Sequence, residues 1–283
     1  MYDGPTRTKF GQVSVAEPPR FDLLAFHDGS TLKEIVHDIP IPVLDQEDLH
    51  AQGINVTQLV TNAQDVDALG SCTCNTGTEH ISERWAAAGK DISGLTLPAA
   101  NGQQISLSAA NAVTDEEFAI LLYHVVTDQT GDTAQEWPPT DCGSSGLYVC
   151  QELIHLGFAS SYQSAPNIVA CLSLLQTGTV MQGGPWFNSW MQPDSNGFVD
   201  GDGSLDALHA AIQSGVAGGH ETLQRGIAQV AQTADGTVEL NSTVIRVRNS
   251  WSTQFALDGD YLVHASTLNY LAKYYDYKVA VVG

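Results

Sequence analysis

The chain has 283 residues, and 43% of them are hydrophobic, which is enough to build one large domain or two lobes around a shared cleft. Its formal net charge is −21, from 11 Lys and Arg against 32 Asp and Glu. This acidity argues against nucleic-acid phosphates or an anionic membrane surface as partners. The chain does not open with a basic segment and an apolar core, and no stretch approaches the roughly 18 apolar residues of a membrane span. We therefore expect no signal peptide, no membrane partner and a cytoplasmic or virion-associated location.

The first part of the chain differs in texture from the rest. Residues 1–55 mix Pro, Asp and short apolar runs without a sustained period, which is typical of an N-terminal arm or extension. No repeat of fixed period and no low-complexity tract longer than a loop follows it. We therefore predict an extension at 1–55 and a folded domain at 56–283.

Four helices are predicted between residues 70 and 175. The first begins near Cys72 and runs to the following AAAG. The second begins at Thr114, where Thr-Asp-Glu-Glu forms a capping box with Glu117. The third follows DCGSSG, with apolar residues at helical spacing, and the fourth covers roughly 167–175.

After Thr177 the pattern changes to short runs rich in β-branched and aromatic residues, separated by Gly, Asp and Asn turns. These runs are TVMQGGPW, ETLQRGIAQVAQT, TVIRVRNSW and DYLVHAST. Helices followed by strands predict an α+β fold with two lobes. We place the helical lobe at about 70–165 and the β-rich lobe at about 176–283.

Five cysteines are an odd number in a chain of this length, so a disulfide framework explains them poorly. Cys72, at the start of a predicted helix, is the best candidate for a reactive thiol, because the helix N-terminus stabilises a thiolate and lowers the thiol pKa. A buried packing cysteine is the ordinary alternative. Cys74 leaves the helix on another face and is expected to pack. No second Cys or His pair has zinc-type spacing, so we predict no metal site.

A thiol nucleophile needs a base, and the nearest histidine does not fit. His80 lies about two helical turns, or roughly 12 Å, from Cys72. His220, in AGGHETL, is a better candidate because two glycines allow close backbone approach. Taken alone it would be assigned as a structural histidine. The segment VIRVRNSW changes this, since Asn249 at a strand end could orient the imidazole while Trp251 shields their hydrogen bond from water.

These motifs resemble those of the papain-like cysteine peptidases, especially the bacterial and viral branch with an LGSCT nucleophile motif. LGSCT, DCGSSGLYVCQELIHLGF, LLQTGTVMQGGPW, GGHE, RNSW and DGDYLV occur in the family's order. His220 follows Cys72 by 220 − 72 = 148 residues and Asn249 by 249 − 72 = 177. The family's spacing is about 130–150 residues, so the second separation is longer than usual and implies insertions.

The resemblance implies a two-lobed papain-like fold in which the helical lobe carries Cys72 and an antiparallel β lobe carries His220 and Asn249. It implies acyl transfer from a peptide or protein substrate, without a cofactor: the thiolate attacks the carbonyl and the histidine protonates the leaving amine. Gly143 falls where the family pairs a glycine backbone with the substrate strand. Gly143 and Trp251 are therefore the predicted substrate-binding residues.

One departure affects the predicted chemistry. The family places an oxyanion-donating Gln six residues before the nucleophile, but Val66 occupies that position here and cannot donate. The chain could be slow, could use Gln64 after a local shift, or could be inactive. The alternatives to a peptidase are a papain-fold structural or binding component of a virion or other assembly, and a thiol transferase or amide-forming enzyme with the same acyl-enzyme.

Two weaker features stay open. Residues 193–206 alternate acidic and amide side chains, but no register supplies both the Gly and the Glu of a 12-residue calcium loop, so a polar surface loop is the better interpretation. Cys142 and Cys150 could form a disulfide or simply pack.

Overall fold

The computed structural model describes residues 26–27, 31–128 and 136–283, which form an α+β architecture. The helices are α1 Val56–Leu59, α2 Cys72–Ala87, α3 Ala112–Asp128, α4 Gly146–His155, α5 Ile168–Leu174, α6 Leu205–Gln213 and α7 Ala265–Tyr270. The strands are β1 Phe26–His27, β2 Ile35–Val36, β3 Thr96–Pro98, β4 Gln104–Ser106, β5 Ser161–Ala165, β6 Val180–Phe187, β7 Val216–Gln229, β8 Thr237–Val238, β9 Val244–Arg248, β10 Asp260–His264 and β11 Asp276–Val281.

Helix α2 begins at Cys72, as the sequence predicted, and Ser71 is its N-cap residue. The first twelve residues of α2, up to Glu83, are buried. Gly77 permits this depth: a Cβ there would lie within 2.5 Å of Val149 in α4. The helix that carries the candidate nucleophile is therefore held rigidly between α3, α4 and the sheet.

The predicted capping box at Thr114 is wrong. Helix α3 begins two residues earlier, at Ala112, and the Asn111 side chain accepts a hydrogen bond from Val113 N at 3.1 Å. Asn111 occupies the capping role because its short amide reaches the first backbone N–H groups of the helix, which leaves Thr114 inside the first turn. The third and fourth helices were predicted correctly, with Ser145 and Asn167 as their capping residues.

The large sheet is antiparallel and has the order β10-β9-β7-β6-β11-β5, with β2 paired to the other end of β7. Strand β7 spans 14 residues and places His220 opposite Gly184 of β6. The four strand-like runs predicted after Thr177 contribute β6, β7, β9 and β10, so the β-rich half of the fold is confirmed.

The predicted order of helices followed by strands did not include the helices that lie after Thr177. Helix α6 lies within the β-rich part, capped by Ser204, whose hydroxyl accepts from Ala207 N at 3.2 Å. In the preceding loop, Asp194 accepts from Asn196 N and Phe198 N at 2.8 and 2.9 Å. Within the described residues, no group of three or more His, Cys, Asp or Glu side chains is arranged to hold a metal ion. The predicted loop at 193–206 runs into α6 at Leu205. Its Asp194 and Asp202 accept from backbone N–H groups of the loop, whereas buried Asp200 accepts from His264 N at 2.9 Å.

Two hydrophobic cores flank the region between α2 and β7. One is built mainly from α2, α3 and α4, and the other from the sheet with α5, α6 and α7. No helix in the described part of the chain is long and apolar enough to cross a membrane. The two cores provide separate supports for the residues that meet at the cleft.

Part of the predicted N-terminal arm or extension, residues 1–55, packs against the rest of the fold. Most of residues 1–30 lie outside the described part of the chain. From Leu32 onward the segment packs on the fold: Leu44 and Leu49 are fully buried and Ile54 is nearly so. Its apolar runs are short because, apart from the two-residue strand β2, they contribute single side chains to cores built by other elements.

Candidate active site

A cavity of about 310 Å³ lies between the helical and β-rich parts. The nucleophile loop and the loop before α4 supply one wall: Gly70, Cys72, Thr73 and residues 141–146. Strands β6, β7 and β11 and the 3-10 turn before β11 supply the other: Gly183, Gly184, residues 219–221, Asp276 and Tyr274. Cys72 and His220, 148 residues apart in sequence, therefore line the same cavity.

Cys72 sits at the first position of α2, and 6% of its surface is exposed. Backbone N–H groups of Glu221 and Thr73 donate to its sulfur. The expected lowering of the thiol pKa is nevertheless wrong. Burial raises the pKa of Cys72 to about 12, and the nearby carboxylates of Glu221 and Asp141 add to this effect. Desolvation of the thiolate outweighs stabilisation by the helix N-terminus.

The imidazole of His220 is held by Asn249. Its Nε2 donates to Asn249 Oδ1 at 2.7 Å, and that oxygen also accepts from Ser250 N at 2.9 Å. Because Nε2 carries the proton in this bond, Nδ1 is the basic nitrogen of the neutral ring. Burial lowers the pKa of His220 to about 4, while the bond to Asn249 acts in the opposite direction.

Trp251 covers this hydrogen bond. Its ring stacks on His220 with centroids 4.7 Å apart and planes 18° apart, and Trp186 meets the same imidazole edge-on at 5.2 Å. Only 1% of Trp251 is exposed, and it is absent from the cavity lining. The structure thus places Trp251 over the imidazole and outside the cavity lining, and the substrate contact that we predicted for it stays a prediction.

Gly143 lines the cavity in a conformation that favours glycine, with φ of +72°. Its N–H donates to Tyr123 Oη at 2.9 Å, and that hydroxyl donates to Asp141 at 2.8 Å. Asp141 also accepts from Gly70 N at 3.0 Å, two residues before the nucleophile. The loop that carries Gly143 is thus tied to the nucleophile loop, which positions it for the substrate contact that remains a prediction.

The alternative oxyanion donor considered from sequence, Gln64, is poorly placed, and so is position 66. Gln64 is exposed, and Val66 packs against the helical core. Sequence reasoning missed Gln46, which lies 72 − 46 = 26 residues before the nucleophile and is fully buried. Its Nε2 donates to Leu69 O at 3.0 Å, and its Oε1 accepts from Ser250 Oγ at 2.7 Å.

The backbone repeats this connection. Gln46 N donates to Ser250 O and Leu69 N donates to Gln46 O, both at 3.2 Å. Residues 47–68 therefore form an insertion whose two ends lie together beside the nucleophile loop. Near these ends, Leu49 N donates to Asp67 O. Gln46 links the loop before Cys72 to the loop after Asn249. Gln46 is missed when the glutamine is sought six residues before Cys72. A search that allows a long insertion before LGSCT would find it.

The remaining cysteines and His80 are structural. All five cysteines lie in the described residues and none forms a disulfide, so Cys142, which is exposed, does not bridge to buried Cys150. Cys74 is fully buried. His80 accepts from Ala280 N at 2.8 Å and pairs with Thr179 Oγ1 at 2.8 Å, and burial lowers its pKa to about 3. Cys74 thus packs in the core as expected, and His80, which its distance from Cys72 ruled out as the base, is buried and hydrogen-bonded elsewhere.

Comparisons with known proteins support the fold. No protein-family model matches the chain, and no curated protein matches it. Among solved structures, the chain is similar to xylellain, a cysteine protease from Xylella fastidiosa, with a TM-score of 0.51, 13% identity and coverage of 100% of this chain and 99% of the other. It is also similar to digestive procathepsin L 3 of the Tenebrio molitor larval midgut, with a TM-score of 0.50, 12% identity and coverage of 96% and 76%. The predicted α+β papain-like fold is therefore confirmed.

Proposed function

We propose that this protein is a cysteine peptidase in which Cys72 is the nucleophile, His220 the general base and acid, and Asn249 the residue that orients the imidazole. The observation that carries the proposal is the placement of Cys72 at a helix N-terminus, in the same cavity as a histidine whose far nitrogen is bound by Asn249. A histidine that served only to stabilise the fold would not need a cysteine on the opposite wall of the cavity.

Burial raises the pKa of Cys72 and lowers that of His220, so the resting pair is a neutral thiol and a neutral imidazole. As the thiol attacks a peptide carbonyl, its proton passes to Nδ1 of His220 and a C–S bond forms. The imidazolium then donates that proton to the leaving amine as the C–N bond breaks. Water, activated by His220, cleaves the thioester and restores the thiol.

Gln46 is the side chain that we propose as the oxyanion donor, in place of Val66. An amide nitrogen carries two hydrogens, and the bond to Leu69 O uses one of them. Because Gln46 is buried beside the nucleophile loop, donation to the substrate requires a rotation of the amide toward the cavity. The N–H of Cys72 is a second donor of suitable type, since the first residues of a helix lack intrahelical acceptors.

The proposal is tested by treating the protein with a peptidyl electrophile directed at thiols, from about pH 5 to 9, and mapping the adduct by mass spectrometry. We expect labelling at Cys72 that is lost in His220→Ala and kept in His155→Ala, a matched change at an exposed histidine. If Cys72 reacts no faster than a cysteine in an unfolded peptide, and His220→Ala changes nothing, the peptidase proposal is wrong. Product analysis with added amines separates hydrolysis from acyl transfer.

A second candidate is a papain-fold binding component with weak or absent catalysis, such as a part of a virion or another assembly. It is favoured by the burial of Cys72 and by the carboxylates that disfavour its thiolate. This candidate predicts an inert Cys72 together with stable multimers or co-purifying partners in a solution mass measurement. A monomer that cleaves peptides readily would exclude it.

A further inference from the structure

We propose that Glu221 makes this cavity selective for a substrate with a positively charged side chain, lysine or arginine, next to the bond that is cleaved. The inference rests on the proposed peptidase function. It names the chemical class of substrate for the site that Cys72 and His220 line.

Glu221 directly follows His220 in β7 and lines the same cavity. Its backbone N–H donates to the Cys72 sulfur, so the residue is in contact with the nucleophile. Only 5% of Glu221 is exposed. A group bound next to Glu221 therefore lies beside the reacting atoms.

Two glycines make room for the Glu221 carboxylate. A Cβ on Gly146, at the start of α4, would lie 2.5 Å from Oε1, and a Cβ on Gly183, in β6, would lie closer still to Oε2. Real Cβ atoms do not approach oxygen atoms so closely, and any other residue at either position would displace the carboxylate. The backbone of Gly146 also lowers the pKa of this carboxyl group. The Glu221 carboxylate thus occupies a defined position in the cavity wall, in the space that Gly146 and Gly183 leave open.

The charge around this position is unbalanced. Within the described residues, the cavity lining holds the carboxylates of Asp141, Glu221 and Asp276 and no Lys or Arg. Lys278 lies behind the lining and forms an ion pair with Asp276. Burial, with a smaller contribution from Asp276, raises the pKa of Glu221 to about 8, and Lys278 acts in the opposite direction. Because burial disfavours its ionised form, this carboxyl group is stabilised as a carboxylate when a cationic side chain binds beside it.

A bound cation would also affect the nucleophile. The negative charges of Glu221 and Asp141 both raise the pKa of Cys72. Neutralising Glu221 with a substrate ammonium or guanidinium group removes part of that effect and favours the thiolate. Cationic substrates are therefore both held and activated next to Glu221, whereas anionic ones find no Lys or Arg among the described residues that line the cavity. The cavity, about 310 Å³, is large enough for a single long side chain.

The test compares two small thiol reagents of opposite charge: an ethyl methanethiosulfonate that carries trimethylammonium and one that carries sulfonate. Their rates of reaction with Cys72 are measured at about pH 9, where the Glu221 carboxyl group is ionised, by mass spectrometry of the Cys72 peptide, so that labelling of exposed Cys142 does not interfere. We expect the cationic reagent to react at least tenfold faster. Glu221→Gln should reduce that ratio at least fivefold, and Glu239→Gln, which removes an exposed carboxylate outside the cavity, should leave it unchanged.

The outcomes separate the two proposals. If Cys72 reacts, but with equal rates for both reagents or with a ratio that Glu221→Gln does not change, the selectivity proposal is wrong while the peptidase proposal stands. If Cys72 reacts with neither reagent, the peptidase proposal fails. Selectivity is then judged by calorimetric binding of acetyl-arginine methylamide. Binding that Glu221→Gln weakens at least fivefold supports it, and absence of binding overturns it.

Discussion

Replacing Gln46 with alanine tests whether Gln46 is the oxyanion donor, although it does not lie six residues before Cys72. In the structure, Gln46 bonds to Leu69 O at 3.0 Å and to Ser250 Oγ at 2.7 Å, on either side of the candidate catalytic residues. Loss of one oxyanion donor reduces the rate of acyl transfer by about 10²–10³ where this has been measured in other enzymes. We therefore expect kcat/KM for peptide hydrolysis to fall by about that factor in Gln46→Ala.

Gln46→Ala also leaves two buried hydrogen-bonding groups without their partner, at a cost of about 1–3 kcal/mol each. A structural effect must therefore be separated from a chemical one. Alkylation of Cys72 by iodoacetamide serves this purpose, because that reaction forms no oxyanion. We expect its rate to stay within about threefold of the unmodified protein. A parallel fall in hydrolysis and alkylation would assign Gln46 a structural role and refute the reasoning.

Val66→Gln is the matched control. If the oxyanion donor had to lie six residues before Cys72, placing glutamine at position 66 should raise kcat/KM by tenfold or more. The structure predicts no gain, because Val66 packs against the helical core and Gln46 already links the two catalytic loops. An increase in Val66→Gln together with an unchanged Gln46→Ala would show that the structural assignment is wrong.

Two further predictions concern the imidazole and the buried carboxyl groups. Asn249→Ala should lower kcat at least tenfold and change its pH profile, because it removes the acceptor at 2.7 Å that holds the His220 ring; an unchanged profile in steady-state kinetics would contradict this. Burial raises the pKa of Glu116 and of Glu221 to about 8, so both groups favour folding below the unfolded pKa of about 4.5 and lose that contribution as pH rises through 8. The buried histidines have lowered pKa values and oppose this trend only below about pH 6.5. Thermal unfolding should therefore show a lower Tm at pH 8.5 than at pH 6.5, with a loss on the order of 1.4 kcal/mol per pH unit for each group, and a constant or rising Tm would disprove it.

The positions of the candidate nucleophile, base and orienting residue could be predicted from sequence because each depends on local signals. A helix start at Cys72, two glycines before His220 and a β-rich run ending at Asn249 are each encoded within a few residues. Their order along the chain then indicated the fold, which the similar solved structures confirm. Local patterns were weaker at element boundaries, where Asn111 rather than Thr114 caps its helix.

The electrostatic state of the site was not predictable from the same signals. The helix start at Cys72 was predicted correctly, but the pKa of its thiol depends on how completely the thiol is removed from water and on which carboxylates lie nearby. Burial and long-range proximity are properties of the folded chain. The sequence states that Glu221 follows His220, but it does not state that Gly146 and Gly183 open a space for its carboxylate.

By itself, the sequence determined the residue types, their order and the local conformations that present Cys72, His220 and Asn249. Only the tertiary structure placed Gln46 between Leu69 and Ser250, because that contact closes a segment of more than twenty residues on one side and about two hundred on the other. Hydrogen bonds across such separations leave no period in the sequence. They depend on where the cores bring distant backbone segments together, and this decides which side chains surround the thiol.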